Sequence, residues 1–244
     1  MKVVCIIQAR YGSTRLPGKV LKQICGKSIL QHDIERIKCV KSIDEIIVAT
    51  SNLTRDDIIE AEVKKCGISV SRGSEEDVLS RYYYAAKQNK ADIVVRITSD
   101  CPLIDMDITN NIIKLYLNNF KTCDYVSNTL ERTFPRGLDA EVFSFDVLEK
   151  AFNESVLLRD REHVTPYIWD NPEKFRIKQF KGDTNYSDLR WTVDTKEDFD
   201  LVKTIYEKLY PSKNNLFGMK EILDLYKYYP ELREINGTIL QKKI

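Results

Sequence analysis

The sequence predicts a single α/β domain with an open, mostly parallel β-sheet wrapped by helices. Short apolar runs rich in β-branched residues, typical of strands buried on both faces, alternate with amphipathic helical patterns along the first half of the chain. This alternation is characteristic of parallel sheets covered by helices. With 244 residues, the chain is long enough to bury the core that this architecture requires.

The first elements follow from the positions of these patterns. Residues 3–7 and 45–50 are apolar runs that predict two strands, and Ser28 opens a helical pattern between them. Residues 54–57 resemble a capping box with aspartate in the N3 place, and Gly67 is expected to end the helix that this box starts. The chain therefore begins with strand, helix, strand and helix.

The alternation continues to the middle of the chain. Residues 68–71 and 92–97 predict a third and a fourth strand, and Ser74 is the expected N-cap of the helix between them. A further helix is expected at about 105–119, followed by a strand at 124–127. Ligands of such sheets bind beyond the carboxyl ends of the strands, so the residues that follow each strand are candidates for a site.

The segment 128–181 departs from this alternation and is predicted to be an insertion within the single domain 1–244. Its patterns indicate a hairpin, a helix and a strand, at 135–143, 161–169 and 175–180. Beyond the insertion the sheet pattern returns, with a predicted strand at 189–194, a helix from Lys196 and a final amphipathic helix near 219–228.

The charge balance and the cysteine pattern exclude several classes of function. Lysine plus arginine (38) nearly equals aspartate plus glutamate (37), so no bulk positive field attracts nucleic acid or an anionic membrane. The six cysteines include no C-x-x-C pair, which argues against a zinc site or a thioredoxin motif. No stretch approaches the length of a membrane span. We expect a cytoplasmic protein that binds neither nucleic acid nor a membrane.

Residues 7–21 (IQARYGSTRLPGKVL), which we call the cradle, follow the first predicted strand and are suited to binding an anion. Glycine and proline at positions 12, 17 and 18 disfavour an ordinary helix, so backbone N–H groups are free to point at a ligand. We predict that the cradle binds a polyphosphate, the alternative being a basic surface loop. Its candidate binding residues are Ala9, Arg10, Gly12, Ser13, Arg15 and Lys19.

The cradle matches neither of the common glycine-rich nucleotide-binding motifs. A Walker A loop has four residues between its glycines, whereas five separate Gly12 from Gly18, and Val20 stands where that motif has a serine or threonine. The G-x-G-x-x-G fingerprint of dinucleotide-binding folds is also absent from the sequence. The cradle is therefore predicted to be a different kind of phosphate site.

Two aspartates that follow apolar strand patterns are candidate magnesium ligands. Asp100 comes directly after the fourth predicted strand, and Asp194 ends the pattern LRWTVD. Carboxylates from separate strand ends could converge on one or two metal ions. Each has a simpler alternative, because Asp100 and the nearby Asp105 could cap a turn or helix and Asp194 could cap the helix that follows it.

Three further residues are candidates for binding a nucleotide. Ser51 follows the second predicted strand, Arg72 follows the third, and Arg81 lies in the next helix. One arginine is expected to reach the nucleotide, while the other pairs with an acidic residue of segment 75–77. For Arg81, a plain surface ion pair is an equally good interpretation.

Three motifs together resemble those of a known enzyme family. IIQARYGSTRLPGKVL, VRITSDCPLID and WTVDTKED are similar to motifs of the cytidylyltransferases that make CMP-activated sugar acids. Within that group, the chain most resembles the branch of spore coat polysaccharide biosynthesis protein F, and the resemblance extends over nearly the whole chain. Gln8 stands where the CMP-Kdo and CMP-sialic acid synthetases usually have proline.

The resemblance implies a Rossmann-like nucleotidyltransferase sheet and assigns roles to the candidate residues. Arg10, Arg15 and Lys19 would bind the triphosphate of CTP, and the Asp100–Asp194 pair would bind Mg²⁺. Arg72 would lie on the cytidine side. The resemblance also implies a homodimer in which segment 128–181 contributes to the partner contact and to the acceptor pocket. The acceptor-side candidates are Arg136, Asp139, Glu141 and His163.

We therefore expect a magnesium-dependent enzyme that transfers CMP from CTP to a small sugar acceptor, of sugar-acid type, and releases pyrophosphate. The product would serve polysaccharide or surface glycan synthesis. Two alternatives remain open at this point. One is a nucleotidyltransferase that uses another nucleotide or a sugar phosphate, and the other is a nucleotide-binding regulatory or scaffold protein without catalytic activity.

Overall fold

A computed structural model of the protein describes residues 1–241, in which a seven-stranded sheet carries helices on both faces. A separate two-stranded antiparallel ribbon follows the cradle. The strands are β1 (Val3–Gln8), β2 (Gln23–Ile24), β3 (Lys27–Ser28), β4 (Glu45–Ser51), β5 (Ser69–Gly73), β6 (Ile93–Thr98), β7 (Tyr125–Ser127), β8 (Glu141–Ser144) and β9 (Ile177–Gln179).

The helices of residues 1–241 lie mainly between the strands. Short 3-10 helices occupy Lys19–Leu21, Thr54–Asp56 and Pro230–Arg233. No helix of this part of the chain is long and apolar enough to cross a membrane. The α-helices are α1 (Ile29–Ile37), α2 (Asp57–Lys65), α3 (Val78–Gln88), α4 (Met106–Asn118), α5 (Phe145–Glu154), α6 (Leu158–His163), α7 (Pro166–Trp169), α8 (Lys196–Lys213) and α9 (Met219–Tyr228).

The sheet is mostly parallel, as the sequence predicts, and its strand order is β5-β4-β1-β6-β8-β7-β9. The strands β5, β4, β1 and β6 run parallel to one another, whereas β8 is antiparallel to both of its neighbours. β1 lies between β4 and β6. The cradle therefore leaves the sheet at its centre, where the carboxyl ends of parallel strands form the ligand edge.

Alternation along β1 sends its side chains into two separate cores. Val3, Cys5 and Ile7 join a cluster on the face that α1 and α4 cover, with Leu30 and Ile113 among its buried members. The alternate residues of β1 pack on the opposite face against α3 and α5. A third cluster, which includes the fully buried Trp191 ring, packs α8 and α9 beside the sheet. Burial of both faces explains the uninterrupted apolar runs in the sequence.

Two predicted helix caps are wrong, because in each case the polar side chain takes a different partner: the cradle and β4 for Asp56, and the Asp77 N–H for Ser74. Residues 54–56 form a 3-10 turn instead of a capping box, because Asp56 turns inward and accepts hydrogen bonds from the cradle and from β4. Ser74 does not cap α3; Asp77 does, by accepting a hydrogen bond from the Ser80 N–H. The predicted end of α2 at Gly67, which has a left-handed φ of +68°, is confirmed.

Two predicted strand features are also wrong. Segment 135–143 is not a hairpin, because its end contributes to a single strand, β8, that pairs in the main sheet with β6 and β7. Residues 189–194 form no continuous strand. Their backbone bonds go to separate segments: Trp191 N–H donates to the Arg136 carbonyl and Val193 N–H to the Asp100 carbonyl. The apolar alternation of 189–194 reflects burial of its side chains rather than a ladder.

Candidate active site

The cradle begins where β1 ends and is folded back by contacts with β4 and α2. Ala9 is buried and its N–H donates to the Ala49 carbonyl at 3.0 Å. The Tyr11 N–H donates to the buried Asp56 carboxylate at 2.8 Å, and the Gly18 N–H closes the loop on the Tyr11 carbonyl at 3.1 Å. The cradle is thus a shaped loop, whose backbone N–H groups bond to β4, to the Asp56 carboxylate and to the loop itself.

Gly18 gives the cradle its turn toward Lys19. Its φ of +64° is left-handed, and an added Cβ would lie 2.9 Å from the Tyr11 ring. A residue with a side chain would be strained here both by its backbone and by this contact. The turn starts the 3-10 helix Lys19–Leu21, which places the Lys19 side chain at the centre of the site.

The cradle leaves several backbone donors available. Among residues 1–241, the N–H groups of Gly12, Thr14 and Arg15 donate to no acceptor, whereas the Ser13 N–H bonds to the Tyr11 carbonyl. The Ser13 hydroxyl accepts from the Leu16 N–H at 3.4 Å. Successive N–H groups in a non-helical turn form an anion-binding concavity. The cradle therefore has the form of an anion site, and its binding of phosphate groups stays a prediction.

Asp100 and Asp194 converge on the Lys19 ammonium. The Lys19 Nζ lies 2.8 Å from an oxygen of each carboxylate. Asp100 stands just beyond β6 and Asp194 just before α8, and the Val193 N–H donates to the Asp100 carbonyl at 2.8 Å. This backbone bond holds the two segments together. The sequence-based expectation that these aspartates meet at the sheet edge agrees with the structure.

The charges of this cluster reinforce one another. Burial opposes ionisation of Asp100, but the charge and hydrogen bond of Lys19 outweigh it and lower the pKa of Asp100 to about 2. For Lys19, burial works to lower the pKa, and the two carboxylates outweigh it and raise the pKa above its usual value. The Lys19–Asp100 contact therefore joins two fully charged groups at neutral pH.

Two arginines also contact Asp194. The Arg15 Nη2 lies 2.9 Å from Asp194, and the Arg190 Nη2 lies 2.7 Å from the same oxygen. Arg190 also forms an ion pair with Asp198. This carboxylate is fully buried and accepts a hydrogen bond from the Arg190 Nε at 2.9 Å. Thr195 caps α8 in a capping box with Asp198. The cap alternative for Asp194 is thereby excluded, because its side chain faces the cations of the site.

Replacing the buried Asp198 with alanine is expected to destabilise the fold by about 3 to 5 kcal/mol, because it leaves the Arg190 charge buried without its main partner. Asp198 also accepts hydrogen bonds from the Asp194 and Thr195 N–H groups. Urea denaturation measures the change. The matched control is Asp200→Ala, which removes an exposed partner of Lys196 on the same helix and should cost less than about 1 kcal/mol. Equal losses in the two variants would contradict this role for Asp198.

The Asp100–Asp194 pair consists of two carboxylates, the type of ligand that a hard divalent cation takes. Both carboxylates already contact one cation, the Lys19 ammonium, and each side chain is at most a quarter exposed (24% and 14%). Magnesium takes oxygen ligands and commonly binds through one or two carboxylates together with waters and phosphate oxygens. Within residues 1–241, no group of three or more His, Cys, Asp or Glu side chains is placed to hold a metal. The donor set thus suits magnesium and leaves positions for phosphate.

The other predicted nucleotide-binding residues lie near the cradle but differ in their availability. Ser51 is buried, and its hydroxyl bonds to Asp56 and to the Leu53 N–H, so it presents no free group to a ligand. Arg72 pairs with Asp57 and Glu60 of α2 and donates to the Ser51 carbonyl. The expectation that one of Arg72 and Arg81 pairs with segment 75–77 is wrong, because within residues 1–241 neither forms an ion pair there.

Arg81 is buried rather than part of a surface ion pair, which corrects that interpretation. It is 3% exposed, its Nη1 donates to the Ser74 carbonyl at 3.1 Å, and its Nε has no hydrogen-bond partner within the described chain. Burial lowers the pKa of Arg81, and the nearby charge of Arg10 acts in the same direction. Within residues 1–241 no carboxylate lies within 4.0 Å of this buried guanidinium, which adds positive charge close enough to Arg10 of the cradle for the two charges to interact.

Of the acceptor-side candidates, Arg136 and Asp139 lie beside the cluster. Asp139 forms a two-pronged ion pair with Arg132 at 2.5 and 2.8 Å. Arg136 is half-buried and forms no ion pair within residues 1–241, and burial followed by the charge of Arg132 lowers the pKa of Arg136. His163 lies half-buried on α6, and its role stays a prediction.

Glu141 is not available to an acceptor, contrary to the prediction. It is 5% exposed, and its carboxylate is bound by Arg96, by the Tyr125 hydroxyl and by the Thr165 hydroxyl at 2.7 Å. The same Arg96 donates to the Gln8 side chain at 3.1 Å. Glu141 therefore fixes a buried polar network at the end of β1 instead of lining a pocket.

Several residues that shape the site were not among the predicted binding residues. Asp56 anchors the cradle, Arg190 connects Asp194 to Asp198, and Glu75 forms ion pairs with Arg55 and with Arg10. A signal for Arg190 exists in hindsight, because an arginine inside the apolar pattern LRWTVD requires a buried partner. Asp56 and Glu75 lie in ordinary polar loops that carry no such signal.

Comparison with known proteins relates this arrangement to one family. The model of a protein family described as cytidylyltransferase matches residues 4–244. Spore coat polysaccharide biosynthesis protein SpsF of Bacillus subtilis is 34% identical over 84% of this chain and 87% of its own length. The 3-deoxy-manno-octulosonate cytidylyltransferase of Trichlorobacter lovleyi is 37% identical over 49% of this chain and 46% of its own.

Among solved structures, a cytidylyltransferase from Leptospira borgpetersenii superposes over the full length of both chains. The TM-score is 0.91 and the sequence identity is 37%. The entire architecture, including segment 128–181, is therefore shared with that protein.

Proposed function

The chain belongs to the cytidylyltransferase family and is a CTP-dependent nucleotidyltransferase, and from this premise we propose that it transfers CMP from CTP to a sugar acid. The reaction would require Mg²⁺ and release pyrophosphate. The observation that carries the proposal is the Lys19 ammonium held between Asp100 and Asp194 at the end of a phosphate-binding loop. We further propose that the enzyme acts in the cytoplasm, in the synthesis of a polysaccharide or surface glycan.

The cradle residues neutralise the charge of the triphosphate in this mechanism. An acceptor hydroxyl oxygen attacks the α-phosphorus, and the bond from that phosphorus to the pyrophosphate oxygen breaks. The protein contributes mainly by positioning the groups and by stabilising the negative charge that accumulates on the leaving pyrophosphate. Arg10, Arg15 and Lys19 supply three cations, and the unpaired N–H groups of the cradle supply further donors.

Asp100 and Asp194 would hold Mg²⁺ during the reaction. When bound, this ion adds positive charge at the phosphate oxygens and helps to orient the triphosphate. The Lys19 ammonium contacts the same two carboxylates, so it occupies a position that favours a cation. We infer that Lys19 turns from the carboxylates toward a phosphate when the nucleotide and its metal bind.

The acceptor side carries an uncompensated positive charge, which supports an anionic acceptor. Arg136 is half-buried and has no ion-pair partner in the described chain, while neighbouring Arg132 is already satisfied by Asp139. A carboxylate of a sugar acid would provide the missing counter-charge with two-pronged geometry. Segment 128–181, which contains these residues, is also our proposed contribution to a homodimer.

The proposal is tested by measuring pyrophosphate release with Mg²⁺ and a panel of sugar acids in the presence of CTP, ATP, GTP or UTP. We expect release that depends on a sugar acid and is fastest with CTP. Equal rates with another nucleotide, or turnover only with sugar phosphates, would contradict the substrate assignment. Thermal stabilisation by CTP without turnover of any acceptor would instead indicate a binding protein.

A further inference from the structure

We propose that Arg55 is an additional phosphate-binding residue of this site and that Glu75 holds it in place until CTP arrives. The inference rests on the proposed function, because it assigns to Arg55 the polyphosphate of the same nucleotide. Arg55 lies outside the cradle and belongs to none of the motifs that identify the family. Three observations support this role: the position of Arg55 in the fold, the short distance of its guanidinium from the cradle backbone, and the charged groups around it.

The position of Arg55 is fixed by its neighbour in sequence. Asp56 is fully buried, and one of its oxygens accepts the Tyr11 N–H of the cradle at 2.8 Å. Its other oxygen accepts the Ser51 hydroxyl at the end of β4. Because Asp56 connects the cradle and the sheet edge, the 3-10 turn Thr54–Asp56 cannot shift without the cradle, and Arg55 is carried to the rim of the loop.

Arg55 lies against the cradle at the point where the loop has no side chain. A Cβ added to Gly12 would lie 2.9 Å from the Arg55 Nη2 and 3.0 Å from the Glu75 Oε1. The Gly12 N–H donates to no acceptor in residues 1–241. A phosphate bound to this N–H would therefore lie within reach of the Arg55 guanidinium, and glycine keeps the approach open.

In the absence of ligand, the Glu75 carboxylate provides the negative charge at the position that we propose for the phosphate. Its Oε1 pairs with Arg55 and lies 3.9 Å from the Arg10 Nη1, so one carboxylate is shared by two guanidinium groups. The buried Arg81 lies nearby, and no carboxylate of residues 1–241 forms an ion pair with it. The rim thus carries more positive than negative charge, a balance that favours an incoming polyanion.

The contacts between Arg55 and Glu75 are weak enough to be exchanged. The Arg55 side chain is 50% exposed, and exposed ion pairs contribute little to stability because water screens them. A triphosphate carries several charges and offers each arginine a stronger, charge-assisted hydrogen bond. Arg55 can therefore leave Glu75 for phosphate at small cost, and Glu75 keeps the guanidinium ordered in the absence of ligand.

The test compares the binding of CTP and of CMP, each with Mg²⁺, by isothermal titration calorimetry. Arg55→Ala should weaken CTP binding by about ten- to a hundredfold, the range for one charge-assisted hydrogen bond, and should change CMP binding by less than about twofold. Arg233→Ala is the matched control, because Arg233 is 49% exposed and pairs with Asp188. This control should bind CTP like the unmodified protein.

A second variant tests the role of Glu75. Glu75→Gln removes the competing charge while preserving the shape of the side chain, so CTP binding should tighten by about two- to fivefold. Unchanged CTP binding in both variants, or an equal loss of CTP and CMP binding in Arg55→Ala, would overturn the inference.

These experiments distinguish an error in the role of Arg55 from an error in the proposed reaction. Absence of pyrophosphate release by the unmodified enzyme, whatever the variants bind, would contradict the reaction instead. A selective loss of CTP binding in Arg55→Ala supports the role of Arg55 in either case.

Discussion

Asp100→Ala is expected to lower pyrophosphate release by about a thousandfold or more while the protein stays folded. The variant removes one of two candidate magnesium ligands and one of the two carboxylates that hold Lys19. Loss of a single group that stabilises transition-state charge typically costs about a hundred- to a thousandfold in turnover, and Asp100 serves two such functions. Steady-state rates at saturating CTP and Mg²⁺ measure this loss.

The fold should tolerate this change because the Asp100 backbone, rather than its carboxylate, connects β6 to segment 189–194. The Val193 N–H and the Thr192 hydroxyl both bond to the Asp100 carbonyl. Asp224→Ala, which removes an exposed partner of Lys227 on α9, is the matched control and should retain full activity. A fully active Asp100→Ala enzyme would show that the metal assignment is wrong.

Lys19→Ala is expected to reduce turnover by about ten- to a hundredfold, and by more if the Lys19 contact strengthens as charge moves to the leaving pyrophosphate. Lys196→Ala, an exposed lysine of α8, is the control for the loss of a lysine charge. Turnover of Lys19→Ala equal to that of this control would contradict the phosphate role.

The same variant should also make stability more dependent on magnesium. Without the ammonium, the carboxylates of Asp100 and Asp194 face the same space with less positive charge between them, which disfavours the folded state. A divalent cation would relieve this repulsion by binding only the folded protein. Thermal unfolding should therefore show a larger magnesium-induced stabilisation for Lys19→Ala than for the unmodified enzyme, and an equal shift would argue against a metal at this pair.

The sequence predicted the parts of the structure that local patterns determine. Buried parallel strands need continuous apolar runs, so β1, β4 and β6 were visible, and the cradle followed from its glycines and cations. The meeting of Asp100 with Asp194 was predicted from two apolar patterns, but only the pattern before Asp100 is a strand of the sheet, and the Val193–Asp100 backbone bond brings Asp194 to it. The resemblance to a family added the nucleotide and the reaction, which residue spacing alone left open.

The wrong predictions concern polar side chains whose hydrogen-bond or ion-pair partners are not revealed by any local sequence pattern. Ser51 and Glu141 looked available in the sequence, but Asp56 and Arg96 satisfy them in the fold. Arg81 looked like a surface residue because its helix pattern does not reveal that its side chain is buried. Segment 189–194 alternates like a strand, yet its backbone bonds to several loops. Arg96 lies 45 residues from Glu141, too far to be found from spacing, and Asp56, although only five residues from Ser51, lies in a segment whose pattern predicts a helix cap instead.

The measurement that tests the central claim most directly is a crystal structure of the enzyme with CTP and Mg²⁺. We predict metal density bound by the carboxylates of Asp100 and Asp194, the triphosphate along the N–H groups of the cradle, and the Lys19 ammonium turned from both carboxylates to a phosphate oxygen. A triphosphate bound away from the cradle, or a metal bound elsewhere while Lys19 still joins the two aspartates, would contradict the account.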